Sequence, residues 1–233
     1  MRKLLLSSAL AGALVPFTVK ADFDISPAVQ GGKIVTNAFA DADSTSIDNV
    51  RVFTFEFGED PLDPYFLEDP GFHPLPGAGF DEGVIVAAKT FSPLSFWNDS
   101  GFVPAPAGET IDVTRGSTTI TLGDSGFAGS LPIAATDANG EFDEHLSATL
   151  QGVTPALPST GIYLYSLTLS GSDLTDSDSV YLLFNNGADA SELGEAAVLA
   201  RDTFAPGTAL VPEPASLASL AVTGVLAGRR RRR

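Results

Sequence analysis

Short runs of alternating apolar and polar residues, separated by glycine and proline, fill the middle of this 233-residue chain. Residues 49–57 alternate most clearly, with Phe53, Phe55 and Phe57 on one face. Successive side chains of a strand point to opposite faces of its sheet, so this period predicts β-structure. The other predicted strands span residues 33–39, 84–89, 110–114, 118–122, 141–150, 161–169 and 180–185. About eight or nine strands joined by turns predict a single all-β sandwich, jelly-roll-like in topology.

Two further segments interrupt this pattern. Asp189, followed three residues later by Glu192, has the spacing of a capping box, and the alanine-rich residues 195–200 come next. This predicts one short helix at the end of the domain. Residues 58–81 form a long segment rich in proline and glycine. A loop of that length inside a compact domain is often functional.

Both termini have the features of targeting segments. Arg2 and Lys3 precede an apolar stretch, and Ala21 ends a small-residue cleavage pattern, so residues 1–21 are expected to be a signal peptide. Near the other end, an apolar run covers residues 215–228 and would span about 21 Å as a helix, against about 30 Å for a bilayer core. A basic cluster closes the chain and favours an N-out, C-in anchor: Arg229, Arg230, Arg231, Arg232 and Arg233.

The segment before the apolar run completes a recognisable order. It contains Val211, Pro212, Glu213 and Pro214, and the two prolines keep it extended. Motif, apolar run and terminal arginines together resemble the PEP-CTERM sorting domain. The resemblance implies a substrate of an exosortase-type transpeptidase, which would cleave at or near the motif. The expected organisation is therefore a signal peptide over 1–21, a β-sandwich domain over 22–203, a linker over 204–210 and a sorting tail with a hydrophobic helix over 211–233.

The charge of the mature region limits its partners. Eight of the 13 basic residues lie near the termini, so residues 22–214 carry five basic residues against 29 acidic ones, a net charge of −24. Such a surface repels phosphate backbones and attracts cations, so nucleic acid is not expected as a partner. The chain contains no cysteine, which excludes thiol catalysis, thiolate zinc sites and iron–sulfur clusters.

Several residues are candidates for metal binding. Asp41, Asp43 and Asp48 place oxygen ligands at intervals typical of a calcium loop. Asp143 and His145 lie on the polar face of one predicted strand, and His73 lies in the long loop. If the loop folds over that strand, the two histidines and a carboxylate could bind zinc or another transition metal. The oxygen-rich residues 137–143 are an alternative calcium loop, although Asn139 and Gly140 favour a hairpin turn there.

The expected function follows from the targeting segments and from the composition of the chain. Trp97, flanked by Asn98 and Asp99, is a candidate for stacking against a sugar ring if it is exposed. Serine-hydrolase, zincin and phosphate-loop motifs are absent from the sequence. We therefore expect an exported, non-catalytic protein, processed by signal peptidase, held briefly at the inner membrane and then placed at the cell surface or outside the cell. Its role would be structural or adhesive, at the cell surface or within extracellular polysaccharide. The alternatives are a carbohydrate- or metal-binding module and a secreted hydrolase.

Overall fold

Strands dominate the computed structural model, which describes residues 23–40, 44–153 and 155–211. This confirms the all-β prediction. The elements, in chain order, are β1 (Asp24–Gln30), β2 (Lys33–Ala40), β3 (Thr45–Ile47), β4 (Val52–Glu56), β5 (Phe66–Leu67), β6 (Gly71–Phe72), β7 (Ile85–Phe91), β8 (Ser95–Trp97), β9 (Phe102–Pro104), β10 (Thr110–Arg115), β11 (Thr118–Leu122), β12 (Phe127–Ala135), β13 (Glu144–His145), β14 (Ser147–Gln151), β15 (Gly161–Ser170), β16 (Val180–Asn186) and α1 (Ala190–Phe204).

The strands form three sheets. One has the order β13-β6-β1-β2-β3 and a second has the order β11-β10-β14-β5. The third has the order β12-β7-β15-β16-β4, with β8 pairing β15 and β9 pairing β8. Most pairs are antiparallel, whereas β6 runs parallel to β1 and β4 runs parallel to β16. Gly31 and Gly32 close the β1–β2 hairpin with positive φ angles, which tight hairpin turns require.

The main hydrophobic core lies between the sheets. Each sheet contributes fully buried side chains, such as Ile25 from the first, Ile111 from the second and Phe184 from the third. A second cluster lies where α1 covers the other face of β4 and β16. β4 therefore buries residues on both faces, with Phe53 in the main core and Val52 under the helix.

Two chain segments cross between sheets side by side. Residues 68–70 lead from β5 in the second sheet to β6 in the first. Leu146 joins β13 in the first sheet to β14 in the second, and its amide donates to the Pro70 carbonyl at 3.0 Å. The resulting corner brings residues 68–71 beside residues 143–146, and it positions the candidate site.

The end of the domain differs in detail from expectation. Helix α1 is present, but the side chain of Asp189 makes no capping hydrogen bond, so the predicted capping box does not form. The segment predicted as a linker is docked on the domain, since the Ala209 amide donates to the Asn49 carbonyl at 2.9 Å. Among the described residues, the chain has no helix with the length and apolarity needed to cross a bilayer. The predicted signal peptide, and the sorting tail from residue 212 onward, lie outside the described residues.

Candidate metal centre

Two carboxylates and an imidazole converge at the corner between the first and second sheets. One ligand atom from each of Asp24, Asp69 and His145 lies within 4.8 Å of the other two. Asp24 is the first residue of β1, Asp69 belongs to the crossing segment before β6, and His145 ends β13. Within the part of the chain that the structure describes, this is the group of histidine and carboxylate side chains suited to hold a metal ion.

The strand register explains why these groups meet. Phe72 pairs with Ile25 on one side and with Glu144 on the other, so Asp24, Gly71 and His145 form the next row across three strands. Gly71, in the middle of that row, leaves room for its neighbours. A Cβ atom there would lie 2.0 Å from Asp24 Oδ1 and 2.9 Å from His145 Cε1. The missing side chain lets the Asp24 carboxylate lean over β6 toward the imidazole.

A main-chain oxygen orients the imidazole of this group. His145 Nδ1 lies 2.9 Å from the Glu68 carbonyl oxygen and 3.9 Å from Asp69 Oδ1. At 2.9 Å the ring N–H at Nδ1 donates a hydrogen bond to the carbonyl. The site thus offers one imidazole and two carboxylates as ligands, and the Glu68 carbonyl fixes the ring in place.

The electrostatics of the site favour a cation. Asp24 is only 8% exposed, so water screens its charge poorly and the charge acts strongly on its neighbours. Partial burial of the His145 ring disfavours its charged form. The hydrogen bond to the Glu68 carbonyl and the charges of Asp24, Asp69 and Asp143 outweigh that burial, so the pKa of His145 lies above its ordinary value. Either a proton or a metal ion here relieves repulsion between the carboxylates.

The structure does not bring His73 and His145 together in one metal site, because His73 lies outside the ligand group. The long loop does fold against the strand that carries His145, but it contributes Asp69 to the ligand group and not His73. His73 instead packs its ring edge-on against Phe39, with ring centroids 5.1 Å apart. Sequence reasoning did not name Asp24 or Asp69 as ligands. Asp24 could not be found, because only the β1–β6 pairing brings it to this corner.

The other predicted metal ligands do not join this group. Asp143 Oδ1 lies 3.8 Å from His145 Nε2, on the far side of the ring from Asp69. Asp48 is exposed in the bend after β3, and Asp41 and Asp43 lie outside the described residues. The Asp137 carboxylate accepts hydrogen bonds from the main-chain N–H groups of Asn139 and Glu141 at 2.8 and 2.9 Å, as in a tight turn. Its Oδ1 atom therefore stabilises the turn.

Trp97 is buried, so it does not meet the condition for stacking against a sugar ring. Its side chain is 5% exposed and packs in the second cluster under α1, tilted against Phe102. With so little of Trp97 exposed, its ring offers no face to a sugar. Its neighbours Asn98 and Asp99, which suggested a polar binding surface, lie in the exposed turn between β8 and β9.

An open cavity of about 520 Å³ has His145 in its lining. Phe66, Glu68 and Asp143 line it together with His145. Glu144, also in the lining, is held by an ion pair with Arg115, whose Nε donates to the Ile133 carbonyl at 3.0 Å. His145 therefore belongs both to the ligand group and to the lining of a cavity of small-molecule size.

Comparison of the chain with protein-family models, with curated proteins and with solved structures gave no significant match.

Proposed function

We propose that this chain is an exported, non-catalytic protein whose β-domain binds a divalent transition metal. The observation that carries the proposal is the convergence of Asp24, Asp69 and His145 within 4.8 Å. An imidazole nitrogen favours zinc, copper, nickel or iron, whereas calcium prefers oxygen ligands alone. The mixed set of one imidazole and two carboxylates therefore favours an ion such as Zn²⁺ over Ca²⁺. As its architecture we propose a jelly-roll-like sandwich, supported by a main core to which all three sheets contribute.

Metal analysis of the full chain tests the binding role. After chelation and dialysis, titration with Zn²⁺ should show one bound equivalent per chain, and excess Ca²⁺ should not displace it. Replacing His145 with alanine, or Asp24 with asparagine, should abolish this binding. His73→Ala is the matched control, because it removes the chain's other histidine and should leave one equivalent bound. Unchanged zinc content in the His145→Ala variant would refute the site.

The cellular localisation is a separate part of the proposal. The order of Val211, Pro212, Glu213 and Pro214, the apolar run and the terminal arginines supports sorting by an exosortase-type transpeptidase after cleavage by signal peptidase. The fourteen-residue apolar run is short for a bilayer, which suits an anchor that is used only until the motif is processed. The product would be an acidic β-domain at the cell surface or in extracellular polysaccharide.

Processing can be followed by mass spectrometry in a host that contains an exosortase. The parent chain should yield a mature form that ends near residue 213. Alanine at Pro212, Glu213 and Pro214 together should leave the full-length C-terminus in the membrane fraction. Pro206→Ala, an exposed proline just before the motif, should be processed normally. Normal maturation of the triple variant would exclude this route.

A further inference from the structure

The edge strands of the three sheets differ in how they are protected from pairing with another chain. An exposed edge offers unpaired N–H and C=O groups, and proteins block it with short strands, proline, charge or irregular register. Among the described strands, three edges have only two or three residues: β3, β5 and β13. β9 is short and ends in Pro104, β12 contains Pro132 and two register shifts, and β4 carries the charged Glu56. Of the described edges, the five-residue β11 has none of these features.

The main-chain groups of β11 that face outward follow from its hairpin with β10. Two residues join these strands, and Arg115 pairs with Thr118 across the turn. Such a pair exchanges both of its main-chain hydrogen bonds, and the pattern alternates along an antiparallel ladder. Every second residue of β11 therefore bonds to β10, whereas the N–H and C=O groups of Thr119 and Thr121 point away from it. Within the described ranges no other main chain bonds to these groups, since β12 pairs with β7 instead.

The outward edge of β11 is exposed and uncharged. Both threonine side chains are bonded to β10: Thr119 Oγ1 lies 2.8 Å from Thr114 Oγ1, and Thr121 Oγ1 donates to Asp112 Oδ1 at 2.6 Å. From residue 116 to residue 123 the sequence has no charged side chain, although residues 22–214 carry a net charge of −24. Two copies of so acidic a chain repel each other, and they approach at least cost where the surface carries no charge.

We propose that this chain forms a two-fold dimer by antiparallel pairing of β11 with β11 of a second copy. The segment Thr119-Ile120-Thr121 reads the same in both directions. A two-fold axis at Ile120 therefore sets Thr119 of each copy opposite Thr121 of the other. Each of these two pairs exchanges two hydrogen bonds, which satisfies every outward main-chain group of the four threonines.

Such a dimer closes on itself. The same edge serves both copies, so the pairing uses up the open strand and cannot grow into a fibre. Threonine opposite threonine is also a favourable cross-strand pair. The two second sheets then join into one eight-stranded sheet with β5 of each copy at its ends. A foreign peptide on β11 would leave this two-fold register unused.

Light scattering of the full chain, in a non-ionic detergent because of its predicted hydrophobic helix, tests the dimer. The protein mass should approach twice that of one chain as the concentration rises, and sodium chloride should favour the dimer by screening repulsion. Thr121→Pro removes an outward N–H without removing a bond to β10, so it should give a folded monomer. Thr121→Val keeps the main-chain donor and should remain dimeric. A monomeric parent chain at every soluble concentration, or a Thr121→Pro dimer as strong as the parent, would overturn the proposal.

Disulfide cross-linking tests the register, because the chain contains no cysteine of its own. Directly opposite residues in a hydrogen-bonded pair have Cα atoms about 5.5 Å apart, which suits a disulfide. An oxidised mixture of Thr119→Cys and Thr121→Cys chains should yield linked dimers. Neither variant alone should do so, because identical residues lie on the diagonal at about 7–8 Å. Ser130→Cys, at an exposed position in β12, should link to neither variant. Equal linking in all of these samples would mean random collision and would exclude the paired edge.

Discussion

Two tyrosines in β15 have buried hydroxyl groups, which should affect the stability of the fold in opposite directions. The Tyr163 hydroxyl donates to the Glu109 carboxylate at 2.5 Å, and the same carboxylate accepts the Ser159 amide and hydroxyl at 2.9 and 2.8 Å. The Tyr165 hydroxyl is fully buried and has no hydrogen-bond partner among the described residues. Burial raises the pKa of both phenols, so both remain neutral in the folded chain.

Phenylalanine at each position should therefore change stability in opposite directions. Tyr163→Phe leaves a buried carboxylate short of a donor and should lower the free energy of unfolding by about 2 kcal/mol. Tyr165→Phe removes an unpaired buried hydroxyl and should raise that free energy by about 1 kcal/mol. Urea denaturation of the two variants measures both changes, and each serves as the other's control. A loss of similar size in both variants would mean that Tyr165 has a partner.

At the scale of elements, the row of Asp24, Gly71 and His145 in the first sheet depends on the absence of a side chain at Gly71. Gly71→Ala places a methyl group on the Asp24 carboxylate. The variant should lose about 1–3 kcal/mol of stability through overpacking, and it should lose its zinc because Asp24 must move. Gly101→Ala is the control, since a Cβ there meets nothing within 4 Å. Chemical denaturation and zinc analysis give both readouts. Full zinc content in Gly71→Ala would show that Asp24 is not a ligand.

Two of the few basic side chains in the domain form ion pairs with the loop between β15 and β16. Lys33 Nζ lies 2.8 Å from Asp178 Oδ1, and Lys89 Nζ lies 2.8 Å from Asp176 Oδ2. The hydrogen bond from Lys33 holds the pKa of Asp178 below its ordinary value. A carboxyl whose pKa is lowered by folding stabilises the fold above its unfolded pKa of about 3.9, and this contribution is lost as the pH falls through the folded value.

Asp178→Asn should therefore destabilise the chain by roughly 0.5 kcal/mol near neutral pH, the range of exposed ion pairs. The difference from the parent should vanish near pH 2, where the parent carboxyl is also protonated. Asp173→Asn makes the same charge change in the same loop, and Asp173 takes part in none of the described ion pairs. Its backbone is left-handed, which asparagine tolerates. Thermal unfolding from pH 2 to pH 7 distinguishes the variants, and a deficit in Asp178→Asn that persists at pH 2 would contradict the assignment.

Sequence patterns predicted some strands well and missed β12 for an identifiable reason. The clear alternation of residues 49–57 predicted β4, and the apolar run of residues 161–169 predicted β15. β12 contains Gly129 and Pro132, which argue against a strand. It forms because it lies at the edge of its sheet and shifts register at Pro132, where a missing amide costs little.

The candidate site was predictable only in part. His145 could be found from its position on a polar strand face beside a long loop. Asp24 could not be found, because its meeting with His145 depends on the pairing of β1 with β6 across a long separation in the chain. Sequence spacing carries no information about that pairing.

At the scale of the whole molecule, excess negative charge should dominate the response to salt. Five basic residues face 29 acidic ones over residues 22–214, and from residue 116 to 200 there is no lysine or arginine. Self-repulsion of this kind destabilises a compact state. Raising the ionic strength from about 0.01 M to about 1 M shortens the screening length from about 30 Å to about 3 Å. The melting temperature of the full chain should therefore rise with sodium chloride.

Specific metal binding should remain after this screening is complete. In about 1 M salt, where non-specific attraction of cations is suppressed, zinc at 100 times its dissociation constant should still stabilise the parent chain by about 2.7 kcal/mol. Asp24→Asn should show the salt response but not the zinc response, because it removes a ligand and changes the total charge by only one unit. Calorimetric melting of both chains at low and high salt, with and without zinc, separates the two effects. If zinc stabilises both chains equally, it acts through the general charge and not through the corner that holds Asp24, Asp69 and His145.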